Sequence, residues 1–370
     1  MKRISDQQKY FRRLIDFLEE HKNKTDEYDA FYEGERTLFI RINNGLIRQS
    51  TEVQQASIRI SFVNKKVVFT SLGISGNWAE DKRNLLGIIT EVRNAKRGME
   101  EASKAIYKQA SSNFLNEVSP DDAGEVISKI TKLSEGLDLN GFYVSGPYYS
   151  GFANSKGQRN WHQNGRAHFA FSVYSKKNPD VSVDGEFSNE TFHEALLEKS
   201  INEASKSLKK LENAPVSLSP GEYNVYLSPR ALSSLLVSVE DGFVNENNED
   251  GFSPLIKLFK GRKKFSEKIN IYDGDGRKIM PNFDSEGNAR VKTPLVESGK
   301  MVNKERDIHP ENLIVGPGDI HKKNIVKHLQ NGIYIDHLFY LNFQGYIEGE
   351  LTGSIRRKCW LIRDGKIVGP

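Results

Sequence analysis

Apolar residues recur with two periods along this chain, and the changes of period mark its elements. Phe11, Leu14, Ile15 and Leu18 are spaced i, i+3, i+4 and i+7, which predicts an amphipathic helix, with Ser5 and Gln8 at capping-box spacing ahead of it. From Thr37 the period falls towards two. Thr37 to Ile42 and Leu46 to Ser50 flank Asn44-Gly45, and Ala56 to Val63 and Val67 to Ser71 flank Asn64-Lys65-Lys66, so a four-stranded meander is expected. Leu85, Ile88, Ile89 and Val92 then share one face of a second helix. Residues 97–118 are mixed and polar and read as a connection.

The order then repeats. Ser119-Pro120-Asp121-Asp122 opens a third helix, with Ser119 as cap and Ala123, Val126, Ile127, Ile130 and Leu133 as its apolar face. Strand-like segments follow at Gly141 to Ser145, His168 to Tyr174 and Val181 to Phe187. A long helix from Phe192 to Glu212 turns Leu197, Ile201, Ala204, Leu208 and Leu211 inward. Helix, antiparallel strands and helix thus occur twice, an order that suggests internal duplication although no sequence repeat is visible.

Pro215 to Pro220 is the expected domain boundary. Beyond it lie a strand at Tyr223 to Leu227, a helix at Ala231 to Val239 behind Pro229, and many short strands between Gly, Asn and Asp turns. At the end, Ile333, Ile335 and Leu338 fall near period two, and Asp364-Gly365 between Trp360-Leu361-Ile362 and Ile367-Val368 signals a hairpin. The fold class is therefore α+β: an N-terminal α+β domain over residues 1–213 and a β-rich C-terminal domain over 214–370.

Composition narrows the classes. The 370 residues suffice for two domains with real cores. Apolar content of 37% and charged content of 28% favour a globular protein over disorder. A net charge of +4 gives no reason to expect a nucleic-acid partner. The single cysteine, Cys359, excludes an intrachain disulfide and fits a reducing compartment. No apolar run reaches the roughly 18 residues a spanning helix needs, and the N-terminus lacks the apolar core of a signal peptide. A cytoplasmic protein without membrane contact is expected.

Candidate chemistry is sparse. His193-Glu194-Ala195-Leu196-Leu197-Glu198 begins like a zinc helix, but Leu and Glu stand where a second histidine would fall, so His193 is expected to pack along the apolar edge or bond at the surface. His321 and His328 are seven apart among lysines and read as a solvated helix face. Asp273-Gly274-Asp275-Gly276 lacks the later ligands of a calcium loop and reads as a turn. Lys260, Arg262, Lys263 and Lys264 form a basic run expected in an exposed loop. Cys359 is expected as a small buried hydrophobe in a strand. Phe339-Tyr340-Leu341-Asn342-Phe343 suits either a core or an exposed partner surface. Thr352, Gly353 and Arg356 make a polar cluster in which the glycine lets another backbone come close; bend geometry alone also accounts for it. They are the candidate peptide-groove residues, and no catalytic or metal-binding residue is assigned.

Several of these stretches, in order, resemble the TldD/PmbA family. Phe283-Asp284-Ser285-Glu286-Gly287 is similar to its F-D-x-E-G, and Asn312-Leu313-Ile314-Val315 with Pro317-Gly318-Asp319 to its N-L-x-V-x-P-G-D. Gly332-Ile333-Tyr334-Ile335, Thr352-Gly353-Ser354-Ile355-Arg356 and Arg363-Asp364-Gly365-Lys366-Ile367 with Pro370 resemble its closing strand, T-G-x-x-x-R bend and E-N-G-E-I hairpin. The resemblance implies that active relatives carry a His-Glu-x-x-x-His zinc helix after the strand that opens the second domain. There, paired imidazoles hold the ion and the glutamate takes a proton from bound water. The matching stretch here, Tyr226 to Glu240, contains no histidine; Ser233, Ser234 and Ser238 are poor zinc ligands. A further family ligand, a cysteine beyond the final hairpin, has no counterpart in a sequence that stops at Pro370; Cys359 does not match it.

The resemblance is thus to the PmbA side, also called TldE. It implies a non-catalytic subunit that pairs with a TldD-type zinc partner around unfolded or linear peptides, with zinc on the partner and none on this chain. The alternatives are a stand-alone, homodimeric peptide-binding or scaffold protein, or an independent metallopeptidase with unrecognised ligands. In the last case His193 and His162 would be the first residues to test. The family's historical link to DNA gyrase gains no support from so small a net charge.

Overall fold

The structure is a computed structural model and describes residues 6–24, 26–64, 66–95, 106–276, 280–302 and 309–370. It opens with helix α1 (Gln7–His21), which buries Phe11, Leu14, Ile15 and Leu18 as their spacing predicts, and Phe17 as well. Its cap is Asp6, whose carboxylate accepts from the Lys9 amide at 2.9 Å. Ser5 lies outside the described residues.

Strands β1 (Glu27–Asn43), β2 (Leu46–Asn64) and β3 (Lys66–Gly73) make a meander of three strands, not four. The polar residues 50–55 do not break β2, because β1 runs beside it throughout and supplies its backbone partners. Asn44 and Gly45 turn the hairpin at φ 52° and 69°. Helix α2 (Trp78–Ala95) buries Leu85, Ile88 and Ile89; the side chain of Val92 lies outside the described residues.

The stretch read as a connection contains strand β4 (Ser112–Leu115); residues 97–105 of it lie outside the described residues. Helix α3 (Ala123–Leu133) is capped by Asp122, which accepts from Glu125 N at 2.8 Å, rather than by Ser119. Strands β5 (Asp138–Asn154), β6 (Arg159–Tyr174) and β7 (Ser182–Asn189) follow, longer than the apolar alternation alone indicates. Helix α4 (Glu194–Leu211) buries the five residues expected of it.

These strands form one sheet in the order β3-β2-β1-β5-β6-β4, with β7 also on β6. β1 pairs antiparallel with β5, from Asp29 opposite Asn154 to Ile42 opposite Gly141. The two helix–strands–helix halves therefore meet along their first strands. All four helices cover one face: Tyr28, Ala30 and Tyr32 of β1 pack under α1 and α2, and Leu38, Ile40 and Ile42 under α3 and α4. The odd positions, among them Phe31, Phe39 and Arg41, turn to the other face. β4 is the one parallel strand described in this sheet, and amide side chains hold the segment before it. Asn154 donates to Tyr107 O (2.8 Å), Asn160 to Ala110 O (3.0 Å), and Gln158 accepts from Gln109 N (2.9 Å).

Residues 213–224 carry neither helix nor strand. The remainder is β-rich. Strand β8 (Val225–Leu227) leads into α5 (Pro229–Ser238). Strands β9 (Ile271–Asp273), β10 (Thr293–Glu297), β11 (Lys300–Met301) and β12 (Leu313–Val315) form a four-stranded sheet that packs Ile271, Leu295, Val296 and Met301 against Phe243, Leu255 and Leu258. Strand β13 (Gly332–Ile335) lies between β8 and β16 (Cys359–Arg363), and β17 (Lys366–Gly369) closes the Asp364-Gly365 hairpin, at φ 48° and 66°. Strands β14 (Leu338–Gly345) and β15 (Glu350–Ile355) form a separate two-stranded ribbon. Trp360 and Ile362 of β16 are buried in the cluster that α4 covers, so the two parts share a core. No described helix is long and apolar enough to cross a membrane.

Candidate functional site

Helix α5 stands where the family resemblance places a zinc helix. Ser228 caps it, accepting from Ala231 N at 3.2 Å and donating to Asp336 O at 3.1 Å. Its hydroxyls turn back on the helix: Ser233 and Ser234 donate to Arg230 O and Ser238 to Ser234 O. Ser233, Ser234 and Ser238 therefore each donate within their own helix. Among the described residues no three His, Cys, Asp or Glu side chains gather as a metal site.

What gathers at the start of α5 is charge. Asp184 of β7 is the hub, its side chain 8% exposed. It pairs with Arg357 and accepts from Ser172 Oγ at 2.6 Å. Arg230 at the start of α5 lies 3.4 Å away and His337 Nδ1 3.6 Å. Burial, and then Arg230, push the His337 imidazole below its usual value, so it sits beside Asp184 chiefly uncharged. Arg357 reaches Asp184 from a backbone at φ 65°, in the turn between β15 and β16. A cavity of about 410 Å³ opens beside this cluster, with Glu186, Glu203, Asp336 and Lys358 on its walls. No spacing rule finds this group, because its members come from β6, β7, α5 and the flanks of the ribbon.

The sequence candidates Thr352, Gly353 and Arg356 fall on or just after β15, and all three are exposed. Thr352 stands opposite Asn342. A side chain on Gly353 would meet Leu341 at 2.8 Å and the Phe339 carbonyl at 3.3 Å, so the close backbone it admits is that of β14. Arg356 lies with its guanidinium 4.0 Å from the centre of the Phe339 ring. The aromatic run of β14 is partly to fully exposed; Tyr340 is 70% exposed at φ 50°.

The remaining candidates separate. His193 is exposed at the N-cap of α4 and makes no capping bond; the helix starts after it, so it does not share the apolar edge. His321 caps a short 3-10 turn and His328 ends a separate short helix, so they share no helix face. Asp273 ends β9 and accepts from the Glu311 and Asn312 amides just ahead of β12, a long-range tie rather than a turn bond, and residues 274–276 after it carry neither helix nor strand. The basic run from Lys260 to Lys264 is exposed. Cys359 is half-buried, and desolvation pushes its thiol up to about 11.

His162 is the surprise. It is 5% exposed, stacks on Phe114 at 4.9 Å, and its Nε2 has no partner among the described residues. Burial pushes its imidazole down to about 4. An unfolded chain binds this proton near pH 6.5, whereas the folded one refuses it until about 4. Stability contributed by the neutral ring is thus complete above about 6.5 and is lost as the pH falls towards 4. The urea midpoint should drop more between pH 7.5 and 5 in the wild type than in His162→Phe. Equal drops would refute this origin.

Residues 220–304 and 302–370 match the family model of the PmbA/TldA metallopeptidase C-terminal domain. No curated protein matches the sequence. Among the solved structures that share the fold over nearly the whole chain are the following three. TldE from Thermococcus kodakarensis is 15% identical with a TM-score of 0.75, covering 97% of this chain and 89% of that one. A Thermotoga maritima protein provisionally named a modulator of a DNA gyrase is 16% identical, with a TM-score of 0.72 and coverages of 98% and 89%. A Bacteroides thetaiotaomicron protein with a similar provisional name is 14% identical, with a TM-score of 0.73 and coverages of 99% and 89%.

Proposed function

With its C-terminal part matching the PmbA/TldA domain and its whole length sharing the TldE fold, this chain belongs to the TldD/PmbA family, and from that premise we propose that it is a TldE-like, non-catalytic subunit. It pairs with a TldD-type zinc subunit, and the pair cuts unfolded or linear peptides. One observation carries the reading. Helix α5, where the resemblance places a zinc helix, offers only serine hydroxyls, and these are already bonded to its own carbonyls. Zinc binding in such a helix needs imidazole or carboxylate in place of hydroxyl. Thr352, Gly353 and Arg356 are the residues proposed to meet peptide, on a ribbon in which neither β14 nor β15 has a second neighbour among the described strands. An unpaired edge of this kind can accept an extended peptide backbone.

The test is casein cleavage by this chain alone, by a TldD-type subunit alone, and by the two co-expressed, with metal content measured on each. Cleavage by the pair, with zinc on the partner and none on this chain, is expected. Cleavage and stoichiometric metal in this chain alone would overturn the proposal. Casein binding by this chain as a homodimer, with no gain from the partner, would favour a stand-alone peptide-binding protein.

A further inference from the structure

A cavity of about 780 Å³ lies between the turn from β6 to β7, the end of α4, and Arg356 and Arg357. Its volume falls within the range of small-molecule sites. Most of the charged side chains on its walls are already matched. Arg357 pairs with Asp184, and Lys177 lies 3.7 Å from Glu212, which also accepts from Ser175 Oγ. Two are not. Arg356 has no ion pair among the described residues and is held only by the Phe339 ring. Asp180 likewise has no ion pair among them, and its backbone amide is fixed by Asn178.

We propose that this cavity binds short peptides with free ends, the carboxylate on Arg356 and the ammonium on Asp180. A guanidinium fork suits a carboxylate, and stacking on Phe339 limits the rotamer freedom lost on binding. A phosphate or other polyanion is disfavoured, because Asp180 and Glu212 line the same space. The ligand that satisfies one free cation and one free anion is a zwitterion, and a peptide fragment is one. The proposal rests on the peptide-handling role above and adds to it a place where the free ends of cleaved fragments are held, with Arg356 shared between the ribbon and this cavity.

Titration calorimetry on the intact chain tests it with trialanine, trialanine amide and N-acetyl-trialanine. Trialanine binds best, and each blocked form binds about tenfold more weakly, the cost of one charge-assisted bond. In Arg356→Gln, trialanine falls to the level of its amide while the effect of acetylation persists; Asp180→Asn does the reverse. Both residues are exposed, so neither variant changes the melting temperature. Equal binding of all three probes, no trialanine binding at millimolar concentration, or an amide effect that survives in Arg356→Gln would overturn the site. Partner-dependent casein cleavage, run in parallel, reports the subunit role separately: cleavage without tripeptide binding removes only this inference, and tripeptide binding without cleavage removes only the subunit role.

Discussion

Gly146→Ala should destabilise the N-terminal sheet by about 3–5 kcal/mol, the sum of a strained backbone and an overpacked contact. Gly146 sits at φ 144°, where an L-residue is strained. A methyl group there would lie 2.3 Å from the Arg36 carbonyl oxygen and 3.0 Å from the Thr37 Cα. Both atoms are β1 backbone, so no side chain can swing aside. The site is also where the β1–β5 ladder is interrupted, between Glu35 opposite Tyr148 and Leu38 opposite Ser145, with Pro147 unable to donate. Gly157→Ala is the control. It shares a positive φ, 84°, but has nothing within 4 Å, so only the left-handed backbone penalty of about 1–2 kcal/mol applies. Urea titration followed by tryptophan fluorescence reads both variants, since Trp161 lies in the core of the same sheet. Equal losses would contradict the steric account.

Asp184→Asn should cost about 3 kcal/mol, the lower end for removing one partner from a buried pair, because Arg357 and Arg230 are 26% and 32% exposed and water screens part of the loss. The substitution leaves two guanidinium groups converging on a neutral amide. Asp184 and Ser172 belong to the first sheet, whereas Arg230, His337 and Arg357 belong to the second part of the chain. The variant should therefore loosen the join, and limited proteolysis should cut within residues 213–224 sooner. Adding Arg357→Gln should restore part of the loss, because the double variant removes the uncompensated charge as well. A double variant as unstable as the sum of the singles would show that the pair does not act as a unit.

The two predictions rest on features of different legibility. Turn chemistry and helix faces are local, so Asn44-Gly45, Asp364-Gly365 and the buried faces of α1 and α4 follow from their residues alone. The local pattern misleads where a neighbour in space overrules it. β2 stays one strand because β1 supports it across a polar run. β4 is a strand because Asn160 and its fellow amides grip the segment before it. Ser119 lost the cap to Asp122 because the helix begins later than the proline suggests. The site divides the same way. The absence of histidine in α5 is plain in the sequence. The cluster at Asp184 is not, since its partners stand at 172, 230, 337 and 357 with no pattern to connect them. Arg356 was visible as a candidate, but the cavity beside it depends on α4 and the β6–β7 turn.

The pairing of β1 with β5 also sets the order in which the sheet can assemble. The β1–β2 hairpin closes over a two-residue turn, and β5 and β6 are likewise near neighbours in sequence. Such hairpins form within roughly 1–10 μs. Joining them requires Asp29 to find Asn154, across two helices and a polar stretch, and loop closure must be completed before any contact compensates for it. The halves should therefore become structured before they dock. In a refolding experiment the amides of β2 would gain protection from exchange early, and the β1 amides that bond to β5 would gain it in a later, slower phase.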